Sequence, residues 1–386
     1  MSGRVSSSAF AARNSPWGAV TRAAGLPGLQ RRCFSSSPSH QAVHVVSFSE
    51  TSSRELDDVL STIRQKIILP SYLRMEQRNK LYDHKYEKKL QADPVTMEID
   101  ENVLKFYYTN IYELPNTREV VFQAIDKMKT TEDWENLPRL LEGVCVHAGR
   151  KLRFYDYPKM VRKAGMHGCI GIIFACVRQA KRTGFKLSSS ETVNELLVWV
   201  QKGAVESGWD QTATESALAW TDRVIETLED EKHQPKRRRG EKDLKAYPLF
   251  RDPQVLAARL HLAAALAAKH HGGEDVGGRV AKYAKELVSL WPEGNGLMEL
   301  HSPEAYEERK ELRYLQNPNE FLWYAAPILS GLKTAAQVVE PVLAEQLRQR
   351  STPLEKEVEA AWADEKRIPA GRGEDMYIKL FGARDA

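Results

Sequence analysis

Cysteine is scarce in this 386-residue chain. There are four, at positions 33, 145, 169 and 176, with no CxxC and no paired cluster. That pattern excludes a disulfide scaffold and a zinc ribbon. Long apolar runs are missing too: none approaches the ~18 residues needed to cross a bilayer, so no membrane span is expected. The longest, such as residues 170–177, have the length of a buried helix segment. No GxGxxG follows a strand, no GxxxxGK[ST] occurs, and neither GxSxG nor HExxH is present. The chain is therefore read as a non-enzyme with no catalytic residues, no metal and no cofactor. The histidines are scattered. His270-His271 ahead of Gly272-Gly273 suits the end of a helix, where a cation meets the last carbonyls. Cys169 and Cys176, seven apart beside Ile173, read as small hydrophobes on one buried helix face.

Acid is missing where it matters most. Residues 1–34 carry Arg4, Arg13, Arg22, Arg31 and Arg32 but no Asp, Glu or Lys, and the first acidic residue is Glu50. An Arg- and Ser-rich, acid-free start is the signature of an organellar transit peptide, and no apolar core suitable for secretion accompanies it. Arg32-Cys33-Phe34 places arginine and an aromatic as a mitochondrial processing site does, so cleavage between Phe34 and Ser35 is expected. The implied compartment is the mitochondrial matrix, where thiols stay reduced. Without the leader the remainder holds 51 basic and 52 acidic residues, so the overall net charge of +4 says little about partners.

What is present is mostly helical periodicity. Leu56, Val59, Leu60, Ile63 and Ile67 recur at helical spacing after Ser52-Ser53 and before Pro70. Residues 71–90 predict a highly charged helix. The alternating runs 95–99 and 103–108 around a polar loop predict a β-hairpin. From about residue 117 the pattern is helical almost to the end, with turns marked by Gly165, Gly184 and Gly208. The expected architecture is mainly α: stacked helical hairpins, solenoid-like, with one small N-terminal β-hairpin and extended termini. The expected divisions are a presequence (1–34), an N-terminal arm (35–116), a first helical array (117–232), a basic linker (233–250), a second array (251–347), and a C-terminal helix with a docking tail (348–386).

The stretch ACVRQAKRTGFKLSSSETVNELL (175–197) resembles the end of one pentatricopeptide repeat and the start of the next, a likeness that extends over residues 155–230. The Ala/Leu-rich run 255–268 and its successors resemble tetratricopeptide-type hairpins. Helices recurring in pairs at roughly 35-residue spacing fit both, since one hairpin cannot bury its own face. The resemblance implies the hairpin architecture, without a base-reading code.

Charge is concentrated in one place. Residues 150–186 contain ten basic residues and a single acid, Asp156. Arg150, Lys151 and Arg153 lead into Lys159, Arg162 and Lys163 at i, i+3, i+4, and Arg178, Lys181 and Arg182 repeat that spacing. Phe154, Tyr155 and Tyr157 lie among them, so bases could stack beside cations that meet phosphates. An acidic protein partner is the competing reading of the same face. Lys236, Arg237, Arg238 and Arg239 form a second run, suited to RNA phosphate, to a cardiolipin surface, or to nothing more than an exposed linker.

Presequence, helical arrays, basic-aromatic patch and extended termini together resemble proteins of the mitochondrial ribosome and translation apparatus. The resemblance implies binding to mitochondrial rRNA or mRNA and to mitochondrial ribosomal proteins. The alternative is a matrix assembly factor for a respiratory-chain complex, using the same surface on protein subunits.

Overall fold

The computed structural model describes residues 45–99, 102–234 and 245–383. The expected presequence, the Phe34–Ser35 cleavage site and the run from Lys236 to Arg239 lie outside the described residues.

Helix α1 (Arg54–Ile63) begins where the serine pair predicts: Ser53 is extended and its hydroxyl accepts the Leu56 amide. Leu56, Leu60 and Ile63 form its buried stripe. The chain continues through a π turn (Arg64–Ile68) into a 3-10 turn (Leu69–Tyr72) that accommodates Pro70. The charged helix expected over 71–90 is instead two helices, α2 (Met75–Tyr82) and α3 (Glu87–Ala92). The break falls at Asp83, whose backbone is extended and whose carboxylate accepts the Lys85 amide. A short acid side chain that can bond its own backbone offers an alternative to the helical ladder, and here it wins. Strands β1 (Val95–Ile99) and β2 (Asn102–Phe106) pair antiparallel with Val95 opposite Phe106. They are the only strands among the described residues. Leu69, Leu73, Leu81, Leu90 and Phe106 form a small core that ties the hairpin to α2 and α3.

Among the described residues after the hairpin, every regular element is a helix or a 3-10 or π turn. The first series comprises α4 (Thr117–Lys127), α5 (Thr131–Trp134), α6 (Leu137–Leu141) with a π turn (Glu142–His147), α7 (Asp156–Met166), α8 (Ile170–Arg178), α9 (Ala180–Thr183), α10 (Ser190–Glu206) and α11 (Gln211–Leu228). The second comprises α12 (Pro253–His270), α13 (Arg279–Leu290), α14 (Pro318–Val338), α15 (Pro341–Ala363) and α16 (Arg372–Phe381), with only 3-10 turns between α13 and α14. Neighbours in sequence pack as hairpins: α7 on α8, α10 on α11, α12 on α13, α14 on α15. The fold is mainly α, built of stacked helical hairpins. The two series meet where α10 and α11 pack on α12, and there the buried ring of His261 bonds Gln201 at 2.9 Å. One apolar core runs from Val46 to Tyr377.

Two expectations for the end of the chain need correction. The division at residue 348 falls inside α15, a single helix that carries Pro353 in its interior. The hydroxyls of Ser351 and Thr352 donate to the Arg348 carbonyl, supplying bonds in the turn where proline removes one. The segment expected to be a docking tail is α16, seated on α14 of its own chain with Met376 and Tyr377 buried. Gly373 makes that approach possible: a Cβ there would lie 2.3 Å from the Asn319 carbonyl oxygen.

Candidate nucleic-acid interface

The basic segment is shaped by α6 and its π turn, the loop that follows, and helices α7 to α9. Gly149 in a left-handed conformation turns the chain out of the π turn, and the Arg150 amide bonds back to the Val144 carbonyl. Helix α9 packs against that same π turn and ends at Gly184, whose φ of 72° suits a residue without a side chain. Arg150 and Lys151 therefore follow the π turn, Lys181 stands on α9 packed against it, and Arg178 ends α8 just before α9. All four are exposed, and none has an ion pair with a described residue.

Most of the remaining cations are held. Asp156 is fully buried and organises the loop: it accepts the Arg153 amide at 2.9 Å and Nε of Arg118 at 2.7 Å. Arg118 also lies over the Tyr155 ring, and the Arg153 guanidinium bonds the Tyr155 hydroxyl. Tyr155 thus remains partly exposed, and Arg118 and Arg153 fix its orientation. Lys159 sits 4.5 Å from the centroid of the Phe122 ring. Lys163 pairs with Asp126 at 2.8 Å and Arg182 with Glu142 at 2.7 Å. These are surface pairs, each worth ~1 kcal/mol or less, and a polyanion could compete for the cations.

Arg162 is different and leaves the candidate set. Its guanidinium turns inward, with Glu191 at 3.6 Å and Glu195 and Glu320 at 3.5 Å. Glu195 is fully buried and also accepts bonds from Tyr324, from Nε1 of Trp199 and from Arg372 of α16. Three carboxylates thus share two guanidinium groups. Burial, and then the Glu320 charge, pushes the Glu191 carboxyl up to about 7. The spacing of Lys159, Arg162 and Lys163 suggests one solvent face, but a helix face reads the same whether water or a buried acid lies opposite.

Sequence reasoning also missed cations beyond residue 186. Arg309, Lys310 and Lys366 are exposed and border the same aromatic loop. In sequence the first two sit within Glu307-Glu308-Arg309-Lys310-Glu311, a mixed run whose net charge is slightly acidic and so hides them.

The fold places the chain in the class of stacked helical-hairpin proteins. Similarity to known proteins narrows the class. A family model described as Mrp13: Mitochondrial ribosomal protein mS27 matches residues 32–379. The small ribosomal subunit protein mS27 of Neurospora crassa is 42% identical over 385 residues, covering 95% of this chain and 96% of that protein. The chain belongs to the mitochondrial ribosomal protein mS27 family. It is a mitochondrial ribosome protein of the matrix, which agrees with its acid-free N-terminal sequence. The sequence reading stopped at the wider group and assigned no particular subunit. Among the described residues no helix is long and apolar enough to cross a membrane.

Proposed function

We propose that this chain is a constituent of the small subunit of the mitochondrial ribosome and grips rRNA through the face formed by the π turn, the loop after it and α9. The observation that carries the reading is the set of exposed cations Arg150, Lys151, Arg178 and Lys181, which have no carboxylate partner among the described residues and flank a packed pair of elements: the first two follow the π turn, Arg178 ends α8, and Lys181 lies on α9 against the π turn. Arg153 bonds the Tyr155 hydroxyl, Lys159 lies over the Phe122 ring, Lys163 and Arg182 sit in weak surface pairs, and Tyr155 adds a fixed aromatic ring. Unpaired guanidinium and ammonium groups suit phosphates, whose counterions are released on contact. The family's ribosomal character favours this over a respiratory-complex assembly factor.

The test is the double reversal Arg178→Glu with Lys181→Glu. Affinity for small-subunit rRNA at ~150 mM salt should fall roughly tenfold, and the slope of log affinity against log salt should flatten by about 1.5 to 2. Thermal stability should change little, because both side chains are exposed. Undiminished rRNA binding with loss of a protein contact would hand the face to an acidic partner.

A further inference from the structure

A groove of about 910 Å³ opens between the aromatic loop before α7 and the turn that leads into α14. On one wall stand Phe154 and Tyr155, 52% and 37% exposed, with ring centroids 5.4 Å apart and planes inclined at 75°. An edge-to-face pair leaves an aromatic face available to a third flat group. On the other side Arg309, Lys310 and Lys366 are exposed and have no ion pair with any described residue. Arg309 is held at a φ of 66°, a left-handed conformation that non-glycine residues seldom adopt. Such a conformation persists only where its surroundings impose it.

Three carboxylates also line the groove, and each is already engaged. Glu191 and Glu320 face Arg162, and Glu311 accepts from Lys245 and from the Ser190 amide. Burial and the Glu320 charge also leave Glu191 holding a proton for much of the time near neutrality. The negative charge of the floor is therefore met from within the protein. The cations of the rim are not.

We infer that this groove receives an unpaired nucleotide of the bound RNA, its base stacked against Phe154 and Tyr155 and its phosphates on Arg309, Lys310 and Lys366. The chemistry requires single-stranded RNA. In an A-form duplex the base faces are stacked on one another and cannot reach an aromatic wall. The inference rests on the RNA-binding reading above, and it adds a second contact, reached across the shared aromatic loop, that selects for splayed bases.

The experiment uses the full chain, a fluorescein-labelled single-stranded RNA of about twelve nucleotides, and a duplex of the same sequence. Two variants avoid the strip at α9: Phe154→Ala, and Lys310→Ala with Lys366→Ala. Each should lower affinity for the single strand by about tenfold, and duplex affinity should stay within about twofold. A photo-crosslinker in place of Phe154 should give RNA adducts in assembled subunits. Equal losses on both RNAs, or no loss on either, overturns the inference and leaves RNA binding at α9 standing. Protein adducts in place of RNA adducts would likewise overturn it, in favour of a neighbouring chain. If the parent chain binds neither RNA, the RNA-binding reading itself fails. Phe154→Ala removes an exposed ring, so its melting temperature serves as the folding control.

Discussion

Replacing Arg162 with methionine tests whether that residue belongs to the surface or to the core. Methionine keeps most of the buried stem and removes the charge. The wild-type cluster holds three carboxylates against Arg162 and Arg372, and Glu195 within it is fully buried. Breaking a buried ion pair by deleting one partner costs about 3 to 5 kcal/mol. Part of that cost can be avoided by proton uptake. Glu191 already has its carboxyl raised from 4.5 to about 7, chiefly by burial and then by Glu320. A carboxyl raised in the folded state binds its proton more tightly there than in the unfolded chain. Its penalty is absent below the unfolded value, grows as pH rises between the two values, and is complete above the folded one. Each tenfold change in proton affinity is worth about 1.4 kcal/mol, so the Glu191 penalty in the wild-type protein reaches about 3 kcal/mol above pH 7. Losing Arg162 raises that carboxyl further. The variant should therefore be destabilised by about 3 kcal/mol at pH 7.5 and by distinctly less at pH 5. Urea unfolding followed by tryptophan fluorescence reads this directly, since Trp199 and Trp323 lie against the cluster. A change under ~0.5 kcal/mol at both pH values would mark Arg162 as an ordinary surface residue and refute the argument.

Phe174→Asp should prevent stable folding of the first helical series, because Phe174 packs edge-on to Trp220 at 4.1 Å and an unpaired charge would enter that contact; circular dichroism of the purified variant reads it. Gly373→Ala should unseat α16, since its Cβ would meet the Asn319 carbonyl, and limited proteolysis should then cut near residue 370 before it cuts elsewhere. The mature protein should begin at Ser35 or within a residue or two of it, and N-terminal sequencing of mitochondrial material that finds Met1 would refute the processing site.

The helices were legible because their signals are local. Leu56, Leu60 and Ile63 announce a buried stripe within ten residues, and Ser53 and Asn116 supply caps beside the turns they close. The β-hairpin was equally plain, because alternation and a polar loop suffice to specify it. Arg162 was misread for the opposite reason: its acidic partners stand 29, 33 and 158 positions away, on α10 and α14. Charge spacing along α7 records nothing about them. The same holds for α16, whose short amphipathic pattern after Pro369-Ala-Gly is the same for a free tail as for a packed helix. The basic segment was legible as a concentration of charge. Which of its cations remain unpartnered depends on Asp126, Glu142 and the three acids around Arg162, and that is settled by packing.

The bond between Arg372 and Glu195 spans 177 residues and carries a consequence for how the chain matures. Import delivers the polypeptide N-terminus first, so α10 can collapse onto its neighbours well before residue 372 arrives. Until then Arg162 is the one guanidinium of the described cluster facing three acids, with Tyr324 and Trp199 as the other donors to Glu195. Arrival of α16 brings the second guanidinium, stacks it over Trp323 and lets the acids close. A product truncated before residue 372 would keep the whole helical series yet retain a charged seam at its centre, open to water and to proteases. The last helix thus acts as a clasp, and its closure separates a finished subunit from an incomplete one.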